Sequence, residues 1–239
     1  MEIPAQIESK QESTRLIDFT SVLASSVHDM KNGLCLLIQS IEKLSHRLQK
    51  KNIEEADELA QIHYEASRLN SNLLQMLALY RVEKDLLPLN IDEYYLDELM
   101  EELAARNLLY IRSRHIDVEF DLPEELAWYF DFDLVSNLLN DIFVNALRYC
   151  GSKIIVSAFE SQGQLHIAIA DDGDGYPNAM LATQDMEAAQ IDLTVSRTGL
   201  GLYFARLIAE THEQNGNKGS ILLRNGGQLN GSVFTLTLP

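Results

Sequence analysis

The chain has 239 residues, of which 46% are hydrophobic, and its 19 basic and 36 acidic side chains give a formal net charge of −17 at pH 7. The hydrophobic content suffices for one large domain or for two smaller domains with cores of their own. The negative charge argues against binding to nucleic acid or to anionic membrane surfaces, so any phosphate group must be held locally by backbone amides, a metal ion or a few basic side chains.

The cysteines and the apolar segments indicate a cellular location. Cys35 and Cys150 form neither a CxxC pair nor a disulfide framework, which fits a reducing cytoplasm. The first residues lack the apolar core of a signal peptide, and no segment approaches the roughly 18 continuous apolar residues that a membrane span requires. We therefore expect a cytoplasmic protein without direct membrane insertion.

Two long helices are predicted in the first third of the chain. Apolar residues recur every three or four positions over residues 16–48, and the same spacing returns over residues 59–80. The polar residues 49–52 separate the two runs, which predicts a helical hairpin. Because two helices cover each other on one side only, we expect the hairpin to homodimerise into a four-helix bundle.

After Pro88 the pattern changes to shorter segments of alternating type. Helices are predicted over 96–112, over 133–149 and after Gly199, and strands are predicted in HIDVEF, AWYFDF, KIIVSAFE, QLHIAIAD, ILLRN and SVFTLTLP. Such interleaving predicts a mixed sheet with helices on one face. The expected fold class is α+β, with a helical domain at 1–85 and an α/β sandwich at 86–239.

Three motifs follow one another in the second domain: NDIFVNALRY at 140–149, DDGDGYP at 171–177 and RTGLGLYFARLIAE at 197–210. Each is weak alone, since a glycine pair after a strand is most often a turn. Gly199 and Gly201 lead into a helix, whose free amides and positive dipole end suit a phosphate. In this order, and with the terminal GSVFTLTLP, the motifs resemble the Bergerat-type ATP-binding domain of sensor histidine kinases, within the wider family that includes DNA gyrase.

The segment HDMKN at 28–32 resembles the dimerisation and phosphoacceptor domain of the same kinases, so the resemblance covers nearly the whole chain. It implies that His28 is the phosphoacceptor and that Asp29 holds the proton on the far ring nitrogen, which raises the basicity of the attacking nitrogen. Asn32, one helical turn further, would orient the water that removes phosphate from a response regulator. His28 stands ~100° from Val27 around the helix, which puts it beside the apolar seam and accessible.

The resemblance also implies a site for ATP and Mg²⁺. Asn145 corresponds to the magnesium ligand, a hard oxygen donor suited to an ion that keeps most of its waters. Asp171 corresponds to the aspartate that accepts a hydrogen bond from the adenine amino group. The other positions that it places around the nucleotide are Arg148, Tyr149, Gly173, Gly175, Arg197, Gly199, Leu200 and Gly201.

The chain departs from the family pattern at several positions. Gly33 stands where the family usually has proline, and glycine softens a helix there. Asp141 stands where the kinases mostly have asparagine and related ATPases have a water-activating glutamate, so slow ATP hydrolysis is a further hypothesis. Arg197 replaces the first glycine of the usual GxGLGL and is interpreted either as a phosphate contact or as the partner of an acid in the lid.

Residues 176–196 are expected to form the lid over ATP. They carry Asp185, Glu187 and Asp192, and no basic residue precedes Arg197, which predicts weak nucleotide affinity. Few residues precede Leu16, so we expect the input to come either from a separate sensor protein or through the short helical extension before Leu16.

Three functions compete. The first is a homodimeric histidine kinase that phosphorylates itself on His28 with Mg-ATP and passes the phosphoryl group to an aspartate of a response regulator, with phosphatase activity as an addition. The second is a histidine phosphotransfer adaptor with a degenerate ATP-binding domain. The third is an ATPase or serine kinase, which leaves HDMKN unexplained. The remaining histidines suggest no metal site and are interpreted as structural: His46, His63, His115, His166 and His212.

Overall fold

A computed structural model describes residues 29–30, 32–41, 43–44, 59, 61–63, 65–67, 69–70, 73, 89–182 and 199–239. The domain junction was expected at residues 85–92, and its first part, with Pro88, lies outside the described residues. Among the described residues, no helix is both long enough and apolar enough to cross a lipid bilayer.

The first third of the chain is helical wherever it is described. Ile41, Leu59 and Ala66 form a buried cluster, and Ile38 packs against it. Ile41 comes from the first predicted apolar run, whereas Leu59 and Ala66 come from the second. The two helical segments therefore contact each other through side chains that the periodicity assigned to their seams.

The second domain interleaves helices with strands, as predicted. Its elements are β1 (Ile91–Tyr95), α1 (Leu96–Arg114), β2 (Asp117–Asp121), β3 (Ala127–Asp131), α2 (Phe132–Tyr149), β4 (Lys153–Ser161), β5 (Gln164–Asp171), α3 (Asn178–Ala182), α4 (Gly199–Thr211), β6 (Glu213–Gln214), β7 (Asn217–Lys218), β8 (Ser220–Asn225) and β9 (Ser232–Leu238). The predicted helices and strands all form within a few residues of their expected ends. The strand β1, the short β6–β7 pair and the helix α3 were not predicted.

The main sheet has five strands in the order β2-β4-β5-β9-β8. The β2–β4 pair is parallel and the other pairs are antiparallel, which confirms the mixed sheet. Along β5 the side chains of Leu165, Ile167 and Ile169 are buried, while the residues between them are partly exposed. This alternation means that one face of the sheet packs against the helices, since successive strand residues point to opposite faces.

The helix α2 is amphipathic and carries part of the expected site. The carboxylate of Asp131 caps its first turn by accepting a hydrogen bond from the Leu134 N–H at 3.0 Å. Leu139 and Phe143 are fully buried in the common core, where each side chain contributes roughly 1.5–3 kcal/mol of transfer free energy. The opposite face of the helix therefore stays available for a ligand.

Candidate nucleotide-binding site

The carboxylate of Asp171 lies at the end of β5 and is only 3% exposed. Its Oδ1 accepts hydrogen bonds from the backbone N–H groups of Gly173 at 2.8 Å and of Ser232 at 3.3 Å. Its Oδ2 accepts a hydrogen bond from the Ser232 hydroxyl. A buried carboxylate is stable only when its oxygens are bonded in this way, and these donors also fix its orientation.

Gly173 and Gly175, the two glycines after Asp171, are required by close approach and by backbone conformation. A Cβ on Gly173 would lie 2.3 Å from the carbonyl oxygen of Tyr149, so only glycine lets this loop rest against the end of α2. Gly175 has a φ of +82°, and a Cβ there would lie 2.9 Å from the Cγ of Asn225. The loop after Asp171 thus lies against the backbone of Tyr149 at the end of α2.

Gly231 and Ser232 belong to the site although they were not singled out from the sequence. A Cβ on Gly231 would lie 2.3 Å from the carbonyl oxygen of Asp171 and 2.7 Å from the nitrogen of Gly173. Ser232 supplies two of the donors to the Asp171 carboxylate. The sequence did contain an indication of their role, because the terminal GSVFTLTLP begins with a glycine and a hydroxyl residue at the start of the last strand.

Asp172 has a structural role that differs from that of its neighbour Asp171. Its carboxylate accepts hydrogen bonds of 2.8 to 3.0 Å from the backbone N–H groups of Gly151, Ser152 and Lys153 and from the Ser152 hydroxyl. Burial by itself would raise the pKa of Asp172, but these donors outweigh it and lower the pKa to about 2. Asp172 therefore joins the start of β4 to the end of β5.

Asn145, Arg148 and Tyr149 are exposed on the last turns of α2. The guanidinium carbon of Arg148 lies 5.3 Å from the centre of the Tyr149 ring, a cation–π distance, and Tyr149 is 64% exposed. Asp141 lies one turn before Asn145, is partly buried and has a partner in the protein. This part of α2 presents an amide, a cation and an aromatic ring to solvent.

The donor set at Asn145 fits Mg²⁺. An exposed amide oxygen is the hard ligand that Mg²⁺ accepts while keeping several waters. Within the described ranges, no group of three or more His, Cys, Asp or Glu side chains could hold a metal ion.

The helix α4 begins at Gly199, and its first turn leaves backbone N–H groups without partners inside the helix. A Cβ on Gly201 would meet no atom within 4 Å, so the helix start is open on that side. Leu200 belongs to the same turn. The helices α2 and α4 pack against each other, and Ala205, Ile208 and Ala209 join the common core. The middle and end of α4 thus join the common core, and its first turn offers backbone N–H groups that could bind a phosphate.

Some expected site residues lie outside the described part of the chain. His28 and Arg197 are two of them, and so is most of the expected lid. Asp29 and Asn32 are described as exposed helical residues, and both interact with other groups of the protein. The roles proposed for these four residues therefore stay predictions.

Comparison with known proteins identifies the second domain. Residues 131–239 match the family described as histidine kinase-, DNA gyrase B-, and HSP90-like ATPase. These residues contain the aspartate, asparagine and glycine positions described above. The match begins at Asp131, the residue that caps α2.

Relatives of the whole chain are sensor proteins and histidine kinases. The sensor protein SrrB of Staphylococcus aureus (strain N315) is 23% identical over 224 residues, covering 91% of this chain and 37% of SrrB. The catalytic domain of histidine kinase ThkA is 25% identical with a TM-score of 0.53, covering 63% of this chain and 97% of that domain. Full-length ShkA in complex with AMPPNP has a TM-score of 0.59 at 17% identity, covering 92% of this chain and 46% of ShkA.

The chain thus spans little more than a third of the length of the SrrB protein that it matches. The family match covers the second domain, and the match to SrrB extends over most of the chain. Residues 131–239 therefore form a domain of the histidine kinase-, DNA gyrase B- and HSP90-like ATPase type, and the chain is similar to sensor proteins and histidine kinases.

Proposed function

We propose that the protein is an ATP-dependent histidine kinase that phosphorylates itself on His28 and passes the phosphoryl group to an aspartate of a response-regulator receiver domain. One observation carries the proposal: the buried Asp171 carboxylate is held in one orientation by Ser232 and Gly173, beside the end of α2. The match of residues 131–239 supports it, as does the ShkA complex with AMPPNP.

The chemistry of Asp171 favours adenine. An ionised carboxylate only accepts hydrogen bonds, and adenine presents an amino donor where guanine presents a carbonyl oxygen. Gly173 and Gly175 allow the backbone to approach the base closely. We therefore assign the adenine end of ATP to the Asp171 loop.

The phosphates would lie between α2 and the start of α4. Backbone amides at Gly199, Leu200 and Gly201 would bind phosphate oxygens, aided by the positive end of the helix dipole. Asn145 would hold Mg²⁺, which when bound neutralises charge on the transferring phosphoryl group. Arg148 would add a cation next to the phosphates, and Tyr149 would contact the nucleotide.

In the proposed transfer, neutral His28 attacks the γ-phosphorus of ATP in line. A nitrogen–phosphorus bond forms, the bond from the γ-phosphorus to the bridging oxygen breaks, and ADP leaves. Asp29 would hold the proton on the other ring nitrogen. The phosphoryl group would then pass to a carboxylate oxygen of the regulator as its bond to the His28 nitrogen breaks. In the opposing phosphatase activity, Asn32 would orient a water that attacks this phosphoryl group and releases inorganic phosphate and the free carboxylate.

We propose that the helical hairpin is a homodimer. Large apolar side chains stay exposed on both helical segments of the single chain: Met30, Leu36, Leu37, Leu44, Ile62 and Leu69. Most of them belong to the predicted seams, and faces of this kind are normally covered by further helices. A second copy of the hairpin would cover them and complete a four-helix bundle.

The proposal is tested by incubating the purified chain with Mg²⁺ and γ-labelled ATP. Label is expected on the wild type and on a His115→Asn control, but not on His28→Ala or Asn145→Ala. The product should be acid-labile, because phosphohistidine hydrolyses in acid whereas phosphoserine does not. Acid-stable label, or label that persists in His28→Ala, would contradict the proposal.

The adaptor hypothesis makes a different prediction. An adaptor would accept phosphate on His28 from a phosphorylated receiver domain but would bind no ATP. The complete set of Asn145, Asp171 and glycine positions, with Asp171 held in place, disfavours that hypothesis. Measuring ATP binding by calorimetry separates the two.

A further inference from the structure

We propose that Asn225 is a positioning residue for adenine recognition, which fixes the loop that orients Asp171. Asn225 is the last residue of β8 and lies 49 residues from its partner, Tyr176. Its Oδ1 accepts a hydrogen bond from the Tyr176 N–H at 2.7 Å, and its Nδ2 donates to the Tyr176 carbonyl at 2.9 Å. The inference rests on the proposed role of Asp171 in binding ATP.

The paired hydrogen bonds replace a missing strand. Residues 172–177 leave β5 without regular structure, so the backbone groups of Tyr176 have no partner in a sheet ladder. One primary amide binds both groups of the same residue, as a neighbouring strand would. An aspartate would lack the donor, and an alanine would lack both atoms.

Gly175 fits the same arrangement. Its φ of +82° turns the loop, and a Cβ at this position would lie 2.9 Å from Cγ and Oδ1 of Asn225 and 3.0 Å from Nδ2. The Asn225 amide therefore occupies the space in which any other residue at 175 would place its side chain. Gly175 is needed both for its backbone conformation and for the position of Asn225.

The loop reaches the Asp171 carboxylate at two points. The Gly173 N–H donates to Oδ1 at 2.8 Å, and Ser232, which donates to Oδ2, also hydrogen-bonds the phenol of Tyr176. Burial raises the pKa of Tyr176 to about 12, so its phenol keeps its proton at neutral pH. Fixing Tyr176 therefore fixes the groups that orient Asp171.

Loosening this loop should weaken recognition of the adenine amino group more than recognition of the triphosphate. Inosine triphosphate has a carbonyl oxygen in place of that amino group, so it lacks the hydrogen bond that the amino group would donate to the oriented carboxylate. The ratio of the two dissociation constants thus reports on the loop, and a general loss of stability would not change it.

The experiment measures the Kd of ATP and of inosine triphosphate by calorimetry on the full chain with Mg²⁺. Asn225→Ala and Asn225→Asp should each raise the Kd of ATP about fivefold to tenfold, as expected when one or two hydrogen bonds are lost, with less effect on inosine triphosphate. Asn217→Ala, an exposed asparagine in β7, is the matched control and should behave as the wild type. An unchanged preference for ATP in both Asn225 variants would overturn the inference.

A double-mutant cycle tests the contact itself. Gly175→Ala should reduce ATP affinity in the wild-type background. In the Asn225→Ala background, where the amide no longer occupies the space, the fold-reduction caused by Gly175→Ala should be at least about threefold smaller. Equal factors would show that Asn225 and Gly175 act independently and would overturn the inference.

Amide exchange of Tyr176 measured by NMR gives a readout that does not depend on ATP, and it should accelerate in Asn225→Ala.

If the wild type binds neither nucleotide, the proposed function fails. If the wild type prefers ATP and the variants keep that preference, only the inference about Asn225 fails.

Discussion

The Nε2 atom of His212 accepts a hydrogen bond from the backbone N–H of Asp131 at 3.0 Å. Its Nδ1 lies 2.7 Å from the carbonyl oxygen of Ile208, and the side chain is 2% exposed. Because Nε2 accepts, Nδ1 must carry the hydrogen, so the ring is neutral in this arrangement. His212 thereby ties the end of α4 to the start of α2, the two helices that carry the proposed phosphate site.

We predict that mild acid disrupts the His212 hydrogen bonds at a pH above that at which most carboxylates become protonated. Burial lowers the pKa of His212 from its usual value near 6.5. The unfolded chain therefore binds more protons than the folded chain once the pH falls through that value, and stability decreases on acidification. Urea unfolding followed through Trp128, the single tryptophan, should show a lower free energy of unfolding at pH 5.5 than at pH 7.5.

His212→Gln isolates this contribution. The variant should lose about 1–3 kcal/mol at pH 7.5, the cost of leaving buried partners unsatisfied, and its stability should depend less on pH between 5.5 and 7.5. His115→Asn is a suitable control, because His115 is exposed and asparagine tolerates its φ of 54°. An undiminished pH dependence in His212→Gln would contradict the assignment.

Asp131→Ala should destabilise the ATP-binding domain by about 1–3 kcal/mol, since two hydrogen bonds are lost together and one of them caps the helix. Its carboxylate accepts from the N–H of Leu134 at 3.0 Å and from the N–H of Asn90 at 2.8 Å. Asp133→Ala, an exposed acid in the same first turn, should cost less than half as much. Thermal unfolding by circular dichroism measures both, and equal effects would show that the cap adds nothing specific.

The neighbours Asp171 and Asp172 should respond differently to the same substitution. Asp171→Asn should raise the Kd of ATP at least tenfold, because an amide presents both donors and acceptors to the adenine amino group. Asp172→Asn should keep ATP binding but lower the free energy of unfolding by about 1–3 kcal/mol, because the donors around it favour a charged acceptor.

The dependence of the free energy of unfolding on acidic pH is a second test of the role of Asp172. Its lowered pKa of about 2 means that its contribution to stability is present above the ordinary value of 3.8 and is lost as the pH falls toward 2. The stability difference between wild type and Asp172→Asn should therefore shrink over that pH interval. Asp174→Asn, an exposed position in the same loop, is the control for general charge effects.

Gly201→Ala should separate stability from function. A Cβ at this helical position meets no atom within 4 Å, and alanine is a better helix former than glycine by about 0.5–1 kcal/mol. The variant should therefore unfold at a higher temperature. If phosphates approach the first turn of α4 closely, its Kd for ATP should nevertheless rise, and calorimetry beside thermal unfolding would detect both changes. Unchanged ATP affinity would place the phosphates elsewhere.

The spacing of apolar residues predicted most helices and strands of the second domain, because a helix or strand buries residues at regular intervals along the chain. The alternation in β5 and the apolar stripe of α2 both appear in the sequence and both persist in the structure. The strand β1 escaped prediction because its sequence IDEYY is largely exposed and places two acids at its centre. The β6–β7 pair has two residues per strand, which is too short for any periodicity to appear.

The sequence by itself determined the element types and the chemical groups available, since both depend on local spacing and residue type. Only the tertiary structure decided which of Asp171 and Asp172 faces Ser232, and which asparagine fixes the loop at Tyr176. Those hydrogen bonds join residues 49 and 61 positions apart, and their geometry depends on the register in which β5, β9 and β8 pair. A one-residue shift in that register would exchange the faces of the sheet, and such long-range pairing cannot be obtained from local patterns.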